Sequence, residues 1–323
     1  MSVEYIQYDG SGEQTGAIIN EPNLEYHKHL AISSTQIKDI ERPKLFEQKH
    51  VTKVIPREYK KHFDIGDATH KLILEGQEAY DAHVCISKDL NFVGKDNKLY
   101  AVQALNSNLF NPLDEDEIAE IAKMKKDDIY ELFSKHPGKL AIEKSEDDLI
   151  KRMCESVYNC EDAATLLNVG DPEMVFRTPE LTCGFQIQAK TDWINFGRDY
   201  TEPSYIADLK TVDNIEKFYK DIEKLKYYYS AGYYLECVRL ITDVIIDDFF
   251  WIVVEKKPPY ETVVFKLSVK DRNLAVREVE SDLDTLQDYM TNGFPRLCDA
   301  GIQEIELKHW AHNEVNKKIG SRA

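Results

Sequence analysis

The stretch 205-YIADLKTVDN-214 decides how the chain is read. Tyr205, Ile206 and Ala207 lead into Asp208, Leu209 and Lys210. Side chains alternate along an extended strand, so Asp208 and Lys210, two apart, share a face. An acid and an ammonium aimed together from an apolar strand are costly to bury unless they pair or hold an ion. Sixteen residues upstream, "QAKTDWI" closes a strand around Asp192. A short connection between these strands sets the two acids side by side. Converging carboxylates repel unless a divalent cation sits between them, and hard oxygen donors suit Mg²⁺ or Mn²⁺. A neighbouring lysine can act on an attacking water or on charge building at a phosphate. The same residues also read as a plain buried Asp–Lys salt bridge that orders a strand.

Working outward, "EMVFRTPELTCGFQIQAKTDWINF" (173–196) predicts an antiparallel pair joined near Pro179–Gly184, with Gln186, Gln188 and Lys190 alternating against Ile187, Ala189 and Thr191. After the strand at 204–212, residues 214–242 read as one long helix. Strands at 248–257 and 261–269 follow, joined at Pro258–Pro259, then a helix over 271–292 that stops at Gly293. This order predicts an α/β fold, a central mixed sheet flanked by helices with an N-terminal helical extension. In that extension "AISSTQIKDI" offers Ser33, Ser34 or Thr35 as a helix N-cap. "HFDIGDATHKLILEG" sets Ile65, Ala68, Thr69, Leu72 and Ile73 on one helical stripe that ends at Gly76. Charge-rich helices over 112–138 and 145–159 read as solvated outer faces. The expected organisation is a loosely ordered tail over 1–22 and one domain over 23–323. That domain is mainly helical over 23–160 and forms the sheet core over 161–312, with a C-terminal tail over 313–323.

The chain has 323 residues and 42% hydrophobic content, enough for a sizeable core. It contains no apolar run of roughly 18 residues, the length a membrane span needs. The N-terminal stretch lacks the basic and apolar regions of a secretory signal, so a cytoplasmic protein is expected. Six cysteines without C-x-x-C pairs read as buried thiols rather than a zinc or iron–sulfur site. A net charge of −17 is the reverse of the usual nucleic-acid footprint and lowers the expectation of strong non-specific DNA binding.

Asp192, Asp208 and Lys210 form the minimal kit of a metal-dependent nuclease, and their surroundings resemble the PD-(D/E)XK nuclease superfamily. The resemblance is to its RecE-type branch, the exonuclease VIII-like phage recombination nucleases related to RecB and lambda exonuclease domains. "ISSTQIKDI" resembles the branch's N-terminal Ser/Thr helix, and "FDIGDATHKLILEG" its G-x-x-x-H-x-x-L-L-E helix. "DPEMVF" carries Glu173 at the strand glutamate, and "QAKTDWI" resembles the R-x-D-x-I strand with Lys190 in place of arginine. "IADLKT" and "VEKKPPY" resemble V-x-D-L-K-T and V-E-x-x-x-P-Y, so the likeness runs from about 31 to 312. It implies Asp192, Asp208, Glu173, His70 and the Leu209 backbone carbonyl as metal ligands. Asp192, Asp208, Lys210 and Glu173 would be catalytic, with Lys210 orienting the attacking water. Ser33, Ser34, Lys190, Tyr227, Ser230 and Tyr234 would face DNA. Taken alone, His70 also reads as a satisfied, partly buried histidine, Glu173 as an exposed strand-end acid, and the tyrosines of 227–234 as core. One departure is Ser230, where the branch's helix carries a glutamine.

The resemblance implies a Mg²⁺- or Mn²⁺-dependent 5′-to-3′ exonuclease on double-stranded DNA ends. Such an enzyme exposes 3′ single strands for an annealing protein in phage-type recombination, in the bacterial host cytoplasm. A homo-oligomeric ring is implied too, with Lys38, Lys44, Lys53, Arg57, Lys60 and Lys61 as candidates to line its bore. Two alternatives stay open: a catalytically weakened DNA-binding or protein-interaction scaffold, and a structure-specific endonuclease.

Overall fold

In the computed structural model, residues 3–11, 13–55, 62–87, 90–107, 109, 111–134, 139–181, 184–197, 202–302 and 304–320 are described. Seven strands form one mixed sheet: β1 (Tyr5–Gln7), β2 (Gly16–Ile19), β5 (Asp171–Arg177), β6 (Gln188–Asn195), β7 (Tyr205–Val212), β8 (Asp248–Glu255) and β9 (Thr262–Lys266), in that spatial order. Only β1–β2 and β7–β8 run parallel. A separate parallel pair, β3 (Val84–Ser87) and β4 (Leu140–Glu143), lies outside it.

The helices of the first half are α1 (Asn23–Lys28), α2 (Ser34–Ile37), α3 (Pro43–Phe46), α4 (His62–His83), α5 (Lys95–Asn106), α6 (Glu115–Ile121), α7 (Lys126–Ser134), α8 (Lys144–Asn159) and α9 (Glu161–Leu166). The second half adds α10 (Phe218–Lys224), α11 (Tyr227–Thr242), α12 (Val269–Asn292) and α13 (His309–Gly320). No helix among the described residues is long and apolar enough to cross a membrane.

Period-2 alternation assigns the two sheet faces to different cores. Ile206, Trp251 and Val253 join Tyr229, Tyr233 and Cys237 of α11 and Val279 and Leu286 of α12. Their neighbours Ala207, Leu209, Ile252 and Val254 point the other way, onto Leu72 and Ile73 of α4 and Ile150, Met153 and Val157 of α8. The α11–α12 packing depends on Gly232, where an added Cβ would lie 2.6 Å from the Ala275 carbonyl carbon. A third core, built from α5–α7, stands apart from the sheet. The expected strand–strand–strand–helix–strand–strand–helix order is present, from β5 through α12.

Five expectations change. Residues 1–22 are not a loose tail: their described part supplies β1 and β2. Glu21 anchors them through a bidentate contact to Arg177, both oxygens at 2.9 Å and both side chains fully buried. An unpaired guanidinium at that depth would cost several kcal/mol, so the segment belongs to the sheet. The helix expected over 214–242 is interrupted, because Lys226 takes a left-handed conformation (φ 51°) between α10 and α11. Gly76 (φ 87°) does interrupt the helix that contains His70, yet the chain resumes helical geometry to His83. The expected C-terminal tail is largely helical, as α13. The cysteines are not uniformly buried as expected: of the five described, Cys237 is buried, Cys298 is exposed and the other three are half-buried, and none is in a disulfide; Cys183 lies outside the described residues.

Candidate active site

β6 and β7 are hydrogen-bonded from Asn195↔Tyr205 to Trp193↔Ala207, and the recorded ladder ends there. One more step would set Asp192 opposite Asp208. Instead the strands part, and the Leu209 backbone N–H donates to Asp192 Oδ2 at 2.7 Å. The bond ties one acid's carboxylate to the backbone beside the other. Asp192 alternates with the core residue Ile194, and Asp208 with Ile206, so both acids belong to the face covered by α11.

Asp208 is 4% exposed and paired with Lys210. The Lys210 ammonium also reaches its neighbour's carbonyl, Leu209 O, at 3.4 Å, and lies 5.5 Å from the Tyr227 ring. Burial pushes the Asp208 carboxyl above its ordinary value; Lys210 opposes the rise, and Asp192 adds to it. Burial works against the charged Lys210, but Asp208 and Asp192 overcome it and hold the ammonium above its usual range. Asp208 and Lys210 thus pair with each other beside a second acid.

β5 brings the third acid. The pairs Pro172↔Trp193 and Met174↔Thr191 place Glu173 across from Asp192. Glu173 has φ 54°, a left-handed conformation that non-glycine residues rarely take inside a strand. From α4, His70 Nδ1 comes within 3.6 Å of Asp192 Oδ1. Ligand atoms of His70, Glu173 and Asp192 all lie within 4.8 Å of one another. Glu173 is thus ion-paired and half-buried rather than exposed, and His70 is a partly buried histidine beside Asp192.

Two carboxylates and an imidazole, with Asp208 adjoining, form a donor set of hard oxygens and one nitrogen. Lys190 only partly offsets its charge, through an ion pair to Glu173 at 2.6 Å. The residues fit a divalent cation. His70, Glu173 and Asp192 are a possible ligand triad, and the like charges they gather account for the attraction.

A cleft of about 190 Å³ opens over this cluster. Its lining includes Ser33, Ser34, Lys190 and Tyr234, four of the residues expected to face DNA, beside His70, Glu173 and Asp192. Lys190 is already engaged, by Glu173 and by Asn23 Oδ1 at 3.2 Å. Tyr234 shares a hydrogen bond with Ser34, and burial, then Asp208 and Asp192, push its hydroxyl far up. Tyr229 and Tyr233 are core residues, whereas Tyr227 underlies Lys210. Ser230 is held by Lys38, whose Nζ lies 2.7 Å from Ser230 Oγ. Of the other bore candidates, Lys44 pairs with Glu47 at 2.7 Å and Lys53 is exposed, while Arg57, Lys60 and Lys61 lie outside the described residues.

The sequence reading missed Asp67, one helical turn before His70 and also in the cleft wall. Its carboxylate accepts from Asn23 Nδ2 at 2.5 Å and meets His83 Nε2 at 2.7 Å. Burial opposes its ionisation, but the His83 and Asn23 bonds prevail and hold the carboxyl down at about 2. The signal was present in "GDATH", where the i, i+3 spacing puts Asp67 and His70 on neighbouring positions of one helix face.

A mixed sheet with acids at the fork where two neighbouring strands part in mid-strand, and a lysine two residues beyond the second acid, defines the PD-(D/E)XK class of nuclease folds. Residues 33–303 match the family described as "PDDEXK-like domain of unknown function (DUF3799)", and the chain belongs to it. Among solved structures it is similar to a "putative exonuclease" from Eubacterium rectale, with 15% identity and a TM-score of 0.51 over 90% of this chain and 94% of that one. At that identity the likeness concerns the fold. SSO0001 aligns over 69% of this chain and 84% of its own, with 13% identity and a TM-score of 0.27, too low to carry weight. No curated protein matches the sequence.

Proposed function

We propose that the protein is a divalent-metal-dependent deoxyribonuclease, an exonuclease acting on duplex DNA ends with Mg²⁺ or Mn²⁺. The observation that carries this reading is the meeting of Asp192, Glu173 and His70 with the Asp208–Lys210 pair where β6 and β7 part. The membership in a PDDEXK-like family and the name of the E. rectale neighbour support it.

In this reading Asp192, Asp208, Glu173, His70 and the Leu209 carbonyl hold the cation. When bound, it supplies positive charge to the phosphoryl oxygens and eases deprotonation of water. Lys210, charged and fixed by Asp208, orients the attacking water toward phosphorus and offsets charge that builds on the phosphoryl group. Tyr227 limits the directions in which that ammonium can swing, and Leu209 N–H fixes the Asp192 carboxylate. Asp67 keeps α4 bonded to α1 through Asn23 and so helps set where His70 stands.

The RecE-type role belongs to the same proposal: 5′-to-3′ resection of ends, in a homo-oligomeric ring, for a single-strand annealing partner during phage-type recombination in a bacterial cytoplasm. The motifs in register from 31 to 312 support it. The test is incubation of the protein with linear and with nicked circular duplex, in Mg²⁺ or in EDTA. Metal-dependent loss of linear DNA with the circle intact is expected. Metal-dependent cutting of both substrates would replace the exonuclease with an endonuclease, and DNA left intact in Mg²⁺ and Mn²⁺ would favour a scaffold.

A further inference from the structure

Lys190 lines the same cleft as His70, Glu173 and Asp192. Its side chain is 11% exposed, and its ammonium has two neighbours there, Glu173 Oε2 at 2.6 Å and Asn23 Oδ1 at 3.2 Å. The first is a carboxylate of the possible ligand triad, the second a neutral amide. A cation held by His70, Glu173 and Asp192 therefore meets a positive charge already paired with one of its ligands. Like charges at that separation repel, so the two compete for Glu173.

Asn23 is placed to keep Lys190 when Glu173 is taken. Its Nδ2 donates to Asp67 Oδ1 at 2.5 Å, and Asp67 Oδ2 meets His83 Nε2 at 2.7 Å. An ionised carboxylate only accepts, so Asp67 claims the NH₂ side of the amide and leaves Asn23 Oδ1 turned toward Lys190. Two residues earlier, the buried Glu21–Arg177 pair ties down the chain that carries Asn23. Lysine suits such a place: its ammonium sits on a flexible stem with three donors, and can release one acceptor while keeping another.

We propose that Lys190 is a built-in counter-ion of the metal site, pairing with Glu173 until a divalent cation takes that carboxylate and then resting on Asn23. Lys190 thereby sets the metal concentration at which the site fills. The inference rests on the reading of the triad as a metal site.

The test measures Mn²⁺ binding to the full chain by isothermal titration calorimetry, for wild type, Lys190→Gln, Asn23→Ala and the double variant, each checked for folding. Gln keeps donors for both neighbours and removes only the charge, so Lys190→Gln should bind Mn²⁺ about tenfold more tightly. Asn23→Ala should bind several-fold more weakly, and should change nothing further in the Lys190→Gln background. Were Lys190 merely a prop for Glu173, Lys190→Gln would weaken binding. Were Asn23 to act through Asp67 and α4, its effect would persist in the double variant. Either result overturns the proposal, as does wild-type affinity in Lys190→Gln or in Asn23→Ala. Should Lys190→Gln not fold, acetylation of wild type read by mass spectrometry decides instead: Mn²⁺ should speed modification of the Lys190 amine, and an equal rate overturns the proposal. Uptake of Mn²⁺ by neither wild type nor folded Lys190→Gln would sink the metal reading and the proposal together, whereas equal, measurable affinities would sink the proposal alone.

Discussion

The Leu209 backbone N–H points at the Asp192 carboxylate, at 2.7 Å, across the fork where β6 and β7 part in mid-strand. An amide that would ordinarily belong to the sheet ladder thus fixes an acid of the site. The same splay places the Asp208–Lys210 pair beside that acid. The site is therefore built by the way two neighbouring strands of the sheet part, rather than by an added loop.

Asp192 stands close to Glu173 and contributes to raising Asp208, so it gathers like charge in the absence of a cation. Asp192→Asn should melt in EDTA at or above the wild-type temperature. Adding Mg²⁺ or Mn²⁺ should raise the wild-type melting temperature, with about 2.7 kcal/mol of stabilisation at 100 times the dissociation constant, and raise that of the variant far less. Differential scanning calorimetry with and without metal checks both.

Glu21 and Arg177 bury their charges together. Removing one partner of such a pair typically costs about 3–5 kcal/mol, so Glu21→Ala should lose stability on that scale in urea unfolding. A loose N-terminal segment would lose next to nothing.

Asp67 has a folded-state carboxyl near 2, below its unfolded value of 3.8. The unfolded chain therefore binds the extra proton as pH falls. The stability Asp67 provides is fully present above about 4 and is lost as pH drops toward 2. Asp67→Asn should flatten this part of the acid-unfolding profile and cost about 1–3 kcal/mol at neutral pH, as expected for a charged hydrogen-bonding group.

Lys38 is shifted the other way, to about 8 from 10.5. Between those values the folded chain holds fewer protons, so Lys38 makes stability rise with pH across that window. Lys38→Gln should flatten this alkaline rise, read as urea-unfolding stability between pH 8 and 10.5.

Asp192, Asp208 and Lys210 are legible in the residues alone because their signals are local, whereas Glu173 and His70 enter only through the resemblance. Asp208 and Lys210 share a face through the two-residue strand period, and Asp192 is one short connection away. His70 and Asp67 are related by helical spacing, although only the histidine was picked out. What escaped the sequence depends on distant partners. β1 and β2 are short strands in polar sequence, held by a β5 partner more than 150 residues away and by the Glu21–Arg177 pair. β3 and β4 pair across 50 intervening residues or more. The break at Lys226 requires a left-handed residue that no glycine or proline announces. Lys38 looked like one of a basic run, but tertiary packing sets its ammonium against Ser230, 192 positions away.

The most direct test of the central claim is single-turnover hydrolysis of linear duplex in Mg²⁺ by wild type, Asp208→Asn and Lys210→Met, each first checked for folding and for duplex binding in EDTA. The account predicts metal-dependent cleavage by wild type and a loss of about 100-fold or more in either variant, with binding retained. Cleavage by folded Asp208→Asn at the wild-type rate would contradict it.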